Sequence, residues 1–583
     1  MPRLDATLAH LAPGVTTCRD LDGSYNPRHG LAIYCLPIPD YSPSSPGVVL
    51  GEALAARSGL GCTLLEGIPA KIPEGAAVVG LYNALKAVRP DLLEEIPELL
   101  EPGQYALKLN HSALITSLTP EGLAAGMQTL SMLVLRHNED ILPASVITDT
   151  PNCRGRCLAV EIDAAEISIT LLMQIVSFAA TFKANAIHLI LGDDFDPNRE
   201  VPGVETFIQT CQSFGMKVGV RLSLLADILT GRKTLIEAWS RARTVARAFN
   251  AERLVLDDRM PGEILDGMCH RVVDSIIKGE VGLKYVGLDA TVLGRSGIPS
   301  AELKPAGISG WYRMWESDAP PSQEWDGFPL VIDVQAPLPG LTARTVGDFH
   351  KRLDAAGKKL LARRHGEMVI SFRGIGVSHM WQNMLYPAAT GLIAAWGEPC
   401  EAVSAAERYS NLLYGDSGKA VMRMWDAVTA AFPAALMEDE ERLVRQVAFG
   451  RWPEDEKEWA LLTGLDWPAI TKKIRAGADV LKTAASDLNR NALTLSGARL
   501  ALYALSWLHC FVALTPELER RRGSKYDEDG RTEPIATELY NNFLAWHSHL
   551  QEMHTESGLE FGELERVEAM GLRLKGLCEG IFE

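Results

Sequence analysis

The chain has 583 residues, 47% of them hydrophobic and 22% charged, with no low-complexity tract, which is material for about two to four packed domains. Its 57 basic and 74 acidic residues leave a net charge of −17, which speaks against a broad phosphate-binding face, so neither nucleic acid nor an anionic membrane is expected as a partner. No apolar run long enough to span a bilayer is visible, Asp5 interrupts anything resembling a secretory signal, and the ten scattered cysteines fit a reducing, cytoplasmic setting.

Residues 1–150 alternate short apolar runs with helical patterns. LAIYCLPI (31–38), AAVVGLYN (76–83), YALKLN (105–110) and ALITSL (113–118) read as strands, with Asn110-His111 at a tight turn between the last two. Thr119-Pro120-Glu121 opens a helix: Thr caps the first amides and Pro fits the first turn. Leu123, Met127, Leu130, Leu133 and Val134 form its apolar stripe. This is a small α/β domain, and its ending, LPASVITDTP, reads as a lead into the next unit. Cys153 and Cys157 are the one close pair of thiols, with no second Cys/His pair at zinc spacing, so no metal is expected there.

From 151 to 400 the pattern becomes regular. Eight β-like runs follow: 157–163, 185–192, 216–223, 252–258, 283–289, 307–313, 328–334 and 367–373. Helical stretches such as 169–184, 234–250 and 262–279 lie between them. Buried parallel strands read as nearly continuous apolar runs, and this count and length predict a (β/α)8 barrel. A doubly wound open sheet is the alternative, but no Gly-rich phosphate loop follows the first strand. After Trp396 strand signals fade, and 401–583 reads as an all-α domain that packs on the barrel or forms a homodimer, with 520–534 as a solvated loop.

Barrel active sites form at the carboxyl ends of the strands. The candidates there are Glu161, Asp163, Asp193, Asp194, Ser223, Asp257, Asp258, Asp289, Trp311, Tyr312, Trp315, Asp333 and Arg373. Crowded carboxylates raise one another's pKa, as a general acid at neutral pH requires. With a hard cation such a rim suits phosphoryl or enolate chemistry; with tryptophans it suits sugars, whose apolar ring faces stack on aromatics. Trp311, Tyr312, Trp315 and Trp325 favour sugars over interface packing. Asp257-Asp258 is the sharpest local feature. Neighbours within a strand point to opposite faces, but Arg259-Met260-Pro261-Gly262 ends this one, so both acids can reach one pocket.

These pieces together resemble the retaining N-acetylhexosaminidase clan that includes glycoside hydrolase families 20 and 84. DTPNCRGRCLAVEID is similar to the start of the first barrel strand in family 20, and FKANAIHLILGDDFDP to the "K-x-N … DD" second strand of both families. GMKVGVRLSLLADI and ERLVLDDRM look like strands three and four of family 84. GISGWYRMW, PLVIDV and the segment GIGVSHMWQNMLYPAATGLIAAWGEP continue the likeness, in order, over about residues 100–415.

The resemblance implies substrate-assisted hydrolysis of terminal β-linked GlcNAc or GalNAc, without cofactor or metal. In that scheme the substrate's acetamido carbonyl attacks the anomeric carbon to give an oxazoline. It makes Asp257 the acetamide-orienting acid and Asp258 the general acid/base. Arg156, Glu161, Asp193, Asp194 and Asp333 become sugar ligands, and Trp311, Tyr312 and Trp315 line the pocket. The chain departs from both patterns in places. It has Asp-Asp where family 20 has Asp-Glu, and Gly192 where family 84 carries a lysine. Asp333-Val334-Gln335-Ala336-Pro337 only echoes the Asp-Asn-Tyr-Pro-Val-Asn-Asp motif of family 84. His188 reads as a core histidine. A non-catalytic sugar-binding or assembly protein on the same scaffold, and a clan glycosidase for a different amino sugar, stand as the alternatives.

Overall fold

The first unit is a seven-stranded mixed sheet, the second a closed barrel and the third a set of helices. The computed structural model describes residues 11–27, 31–38, 61–136, 141–162, 169–191, 203–222, 234–256, 266–279, 285–303, 305–313, 330–337, 346–361, 366–372, 381–397, 402–414, 418–434, 438–487, 492–522, 531–557 and 563–582, with six isolated residues between these stretches.

In the first unit, strands β1 (Thr17–Tyr25), β2 (Leu31–Cys35), β3 (Cys62–Glu66), β4 (Ala77–Leu81), β5 (Tyr105–Leu109), β6 (Ala113–Ser117) and β7 (Leu142–Asp149) line up as β1-β7-β5-β6-β4-β2-β3. Helix α1 (Tyr82–Val88) covers one face. Helix α2 (Pro120–Arg136) covers the other, laying Leu123, Met127, Leu130 and Leu133 on Tyr105, Leu107 and Ile115. Thr119 accepts from the Gly122 amide through Oγ1, as its position before Pro120 predicts. The segment 142–149 is not a lead-in but a strand, antiparallel to both β1 and β5. Pro143 hides it from a propensity reading; the proline sits beside the register shift in β1, where a missing amide costs least.

The barrel strands are β8 (Gly155–Ile162), β9 (Ala186–Leu191), β10 (Lys217–Leu222), β11 (Arg253–Leu256), β12 (Val286–Asp289), β13 (Ile308–Arg313), β14 (Leu330–Gln335) and β15 (Glu367–Phe372). They run parallel in sequence order, and β15 closes on β8. All eight expected strands are present. Among the helices outside them are α3 (Ile169–Thr181), α4 (Val204–Ser213), α5 (Leu235–Ala248), α6 (Asp266–Ile277), α7 (Ala290–Ser296), α8 (Ser300–Leu303), α9 (Val346–Leu361) and α10 (Trp381–Trp396). Alternation along each strand sends Cys157, Ala159, Ala186, Ile190, Val255, Trp311, Val331 and Val369 into the interior.

Two glycines make that interior possible. A Cβ on Gly287 would run into the Trp311 indole, and one on Gly219 into the His188 imidazole. Both rings occupy the space those missing side chains leave. Gly287→Ala is therefore expected to destabilise the fold by about 1–3 kcal/mol through overpacking, read as a lowered denaturant midpoint at unchanged m-value.

The barrel helices carry a second consequence. His350 on α9 is buried against Tyr386 on α10, and burial pulls its pKa down to about 4 although Asp354 works the other way. The unfolded chain takes up this proton near pH 6.5 and the folded one refuses it, so unfolding is favoured as pH falls through that window. Stability should drop by about 1.4 kcal/mol per pH unit for this histidine between pH 6 and 4.5, and His188 adds to the same sign. His350→Phe should flatten the slope in pH-dependent denaturation.

The third unit comprises α11 (Ala402–Tyr414), α12 (Gly418–Ala430), α13 (Glu438–Ala448), α14 (Glu456–Thr463), α15 (Trp467–Asp487), α16 (Ala492–Arg522), α17 (Thr532–Ser557) and α18 (Glu563–Phe582). It shares one continuous apolar core with the barrel: Tyr409 packs edge-on against Phe182 and Tyr386. Residues 520–522, read as loop, extend α16 instead; 523–530 lie outside the described residues. By length and composition Leu495–Arg521 could cross a membrane, but its apolar window is mostly buried, with Trp507, Leu508 and Phe511 inside the core.

Candidate active site

Two ends of the barrel attract polar side chains, and they differ in chemistry. At the amino end lies a closed network joining the first unit to the barrel. Asp149, the last residue of β7, is 2% exposed and accepts six hydrogen bonds. Thr16 N and Oγ1 and Thr150 N donate to Oδ1; Tyr105 Oη, Lys183 Nζ (2.9 Å) and Trp396 Nε1 (2.8 Å) donate to Oδ2. The Lys183 ammonium lies 4.4 Å from the Trp396 ring centre, and the Arg156 guanidinium 4.6 Å from it. Burial pushes the Lys183 pKa below its ordinary value, with Asp149 opposing.

Arg156 belongs to this end. It is the second residue of β8, fully buried, and donates to the carbonyls of Lys183, Cys153 and Arg154. The expected sugar role for Arg156 is therefore corrected: a strand's first residues lie at the end of the barrel away from the carboxyl ends, where barrel sites form. The K-x-N element has the same location. Asn185 accepts from the Arg156 amide and donates to the Arg154 carbonyl.

Of the remaining candidates, Glu161, Trp311 and Asp333 have described side chains. Glu161, next to last in β8, is partly buried and accepts from Arg442 of α13 at 2.6 Å, so the helical unit touches the rim at the first strand. Asp333 on β14 and Arg221 on β10 meet across the interior at 2.6 Å, both buried. Trp311 is 3% exposed and packs within the barrel, stacked on His188 at 5.5 Å and 5.0 Å from the Arg221 guanidinium. It is a core tryptophan rather than an open wall. His188 is the core histidine expected; burial, with Arg253 and Arg221 nearby, keeps it neutral.

Tyr312 lies on β13 between Trp311 and Arg313, with its side chain outside the described residues. Asp193, Asp194, Asp257, Asp258 and Trp315 also lie outside them, as do Asp163, Ser223, Trp325 and Arg373. What is described is the strand that leads to the acid pair. β11 is the fourth barrel strand, and its last residue, Leu256, immediately precedes Asp257. The structure adds Arg221, which the sequence reading passed over. The signal was available: an arginine inside an apolar strand run needs a buried partner.

No protein-family model matches the chain, and no curated protein does either. Solved structures match over nearly its full length. CpGH84D is similar with a TM-score of 0.56 and 10% identity, and CpGH84B with 0.52 and 12%; each covers 97% of this chain and 99% of that chain. A β-N-acetylhexosaminidase from Bacteroides fragilis NCTC 9343 matches at a TM-score of 0.49 and 12% identity, over 70% of this chain and 95% of that one. At such identities the likeness is one of fold: the chain shares the architecture of CpGH84B and CpGH84D from its first unit to its last helices.

Proposed function

We propose that this protein is a glycoside hydrolase that removes terminal β-linked N-acetylhexosamine by substrate-assisted, retaining catalysis. One observation carries the reading. An adjacent Asp pair, Asp257-Asp258, directly follows the fourth strand of a parallel barrel, at the end where such barrels build their sites. The full-length fold likeness to CpGH84B and CpGH84D supports it.

In this mechanism the acetamido carbonyl oxygen of the substrate attacks the anomeric carbon. Asp258 protonates the departing glycosidic oxygen, and Asp257 takes the acetamide N–H as positive charge develops on the forming oxazoline. Asp258, now a carboxylate, removes a proton from water as it opens that ring, which gives retention and restores the acid. Asp193, Asp194 and Asp333 hold hydroxyls, and Trp315 bounds the sugar. Glu161 contributes to the rim through its pair with Arg442.

Release of 4-methylumbelliferone from its β-GlcNAc and β-GalNAc glycosides tests the proposal against the β-glucoside, which lacks the internal nucleophile. Turnover of an acetamido sugar alone is the expected result; equal hydrolysis of the glucoside would sink it. A second reading, a sugar-binding protein without turnover, is favoured by one observation: Trp311 is packed into the core instead of lining a pocket. An inert protein that binds N-acetylhexosamines in calorimetry would select that reading.

A further inference from the structure

Two ion pairs cross the barrel interior, and they are built differently. Near the amino end Arg253 holds Glu367 with a fork, Nη1 to one oxygen at 2.6 Å and Nη2 to the other at 3.2 Å. Near the carboxyl end Arg221 donates to Asp333 through Nη2, to Oδ2 at 2.6 Å. Oδ1 of Asp333 is buried and has no hydrogen-bond partner among the described residues. A buried carboxylate oxygen without a donor has lost its water and gained nothing in exchange, so it calls for an explanation.

Its location supplies one. Arg221 is next to last in β10 and stands opposite Val255, two residues before Asp257. The strands are tilted, so inward side chains stack in levels of four from alternate strands. His188, Val255, Trp311 and Val369 make one level, and Arg221 and Asp333 belong to the next toward the carboxyl ends. The pair thus lies one level beyond Val255, toward the end of β11 that Asp257 and Asp258 follow in sequence. Trp311 backs the guanidinium at 5.0 Å, and an arginine can stack on an indole while one of its N–H groups bonds sideways, which a lysine cannot.

We propose that Arg221 is a positioning residue for the site proposed above, on whose reading this inference rests. It anchors the Asp333 side chain through Oδ2, leaving Oδ1 as the acceptor for one hydroxyl of the terminal sugar. The one-sided contact matters: a fork like that of Arg253 on Glu367 would occupy both oxygens and leave none for a ligand. The ligand class this selects is a sugar that enters by its non-reducing end, so that a free hydroxyl reaches the barrel interior.

The test compares 4-methylumbelliferyl β-N-acetylhexosaminides, intact and as 3-, 4- and 6-deoxy analogues, on wild type, Arg221→Met, Arg221→Lys, Asp333→Asn and the Met/Asn double variant. In wild type one deoxy analogue should lose about 10- to 100-fold in kcat/KM, the worth of a hydrogen bond to a charged group. Arg221→Met and Asp333→Asn should each abolish that discrimination, Arg221→Lys should keep part of it, and the double variant should be no worse than Asp333→Asn alone. Should Arg221→Met not fold, Arg221→Lys and the double variant, which leaves no unpaired charge, carry the comparison. Discrimination that survives in folded Arg221→Met, or that is undiminished in Arg221→Lys, would overturn the inference while leaving the hydrolase intact. A wild type inert on all intact glycosides overturns the hydrolase instead; the free deoxy sugars, titrated by calorimetry, then judge Arg221 by the same discrimination in binding. No binding at all overturns both.

Discussion

Asp258→Asn is expected to lower kcat on an unactivated β-N-acetylhexosaminide by about 10²–10⁴-fold, the usual range for a lost general acid. The loss should shrink for an aryl glycoside whose leaving phenolate needs little protonation. Asp257→Asn should behave differently. It weakens the charge that steadies the forming oxazoline, so its loss should be similar for good and poor leaving groups. The two variants, assayed on a methylumbelliferyl glycoside and a disaccharide, separate the roles. Equal sensitivity of both variants to leaving group would remove the assignment of acid and orienting residue.

Lys183→Met is expected to destabilise the protein by about 3–5 kcal/mol, because it leaves the fully buried Asp149 carboxylate without its counter-charge. The backbone itself argues that the ammonium matters. Helix α3 ends in a turn where Lys183 N–H bonds the Ala180 carbonyl and Ala184 N–H the Ala179 carbonyl, with Lys183 at a φ of 61°. That position ordinarily selects glycine, and a lysine there is held against its preference. The return lies in Nζ, which joins β5, β7 and α10 across the boundary between the first unit and the barrel. Asp149→Asn with Lys183→Met removes both charges and should recover part of the loss. A thermal-unfolding series on the single and double variants checks this. If Lys183→Met melted with wild type, the network would be dispensable.

Much of the architecture was legible before any coordinates. Each barrel strand is buried on both faces, so its apolar run stands out unbroken, and the helices between announce parallel crossovers. Strands that escaped notice lie in the first unit. TCRDLDGSY is almost wholly polar because β1 is an exposed edge, and CTLLE leaves most of its side chains in solvent. β7 was concealed by Pro143 and by its polar end, although it is paired on both sides, with β1 and β5.

Site residues divide along the same physical line. The order of strands and the sequence Leu256-Asp257-Asp258 were determined by local chemistry alone, and with them the carboxyl rim as the place to look. What a polar residue within a strand is for depends on which end of that strand it occupies and on what faces it, and both are tertiary facts. Arg156 reads like a sugar ligand until the strand it opens is seen to start at the far end of the barrel, against Trp396. Trp311 reads like a pocket wall until Gly287 across the ladder makes room for its ring inside the core. Arg221 reads like nothing until Asp333, 112 residues away and four strands round the barrel, supplies the charge that its burial demands.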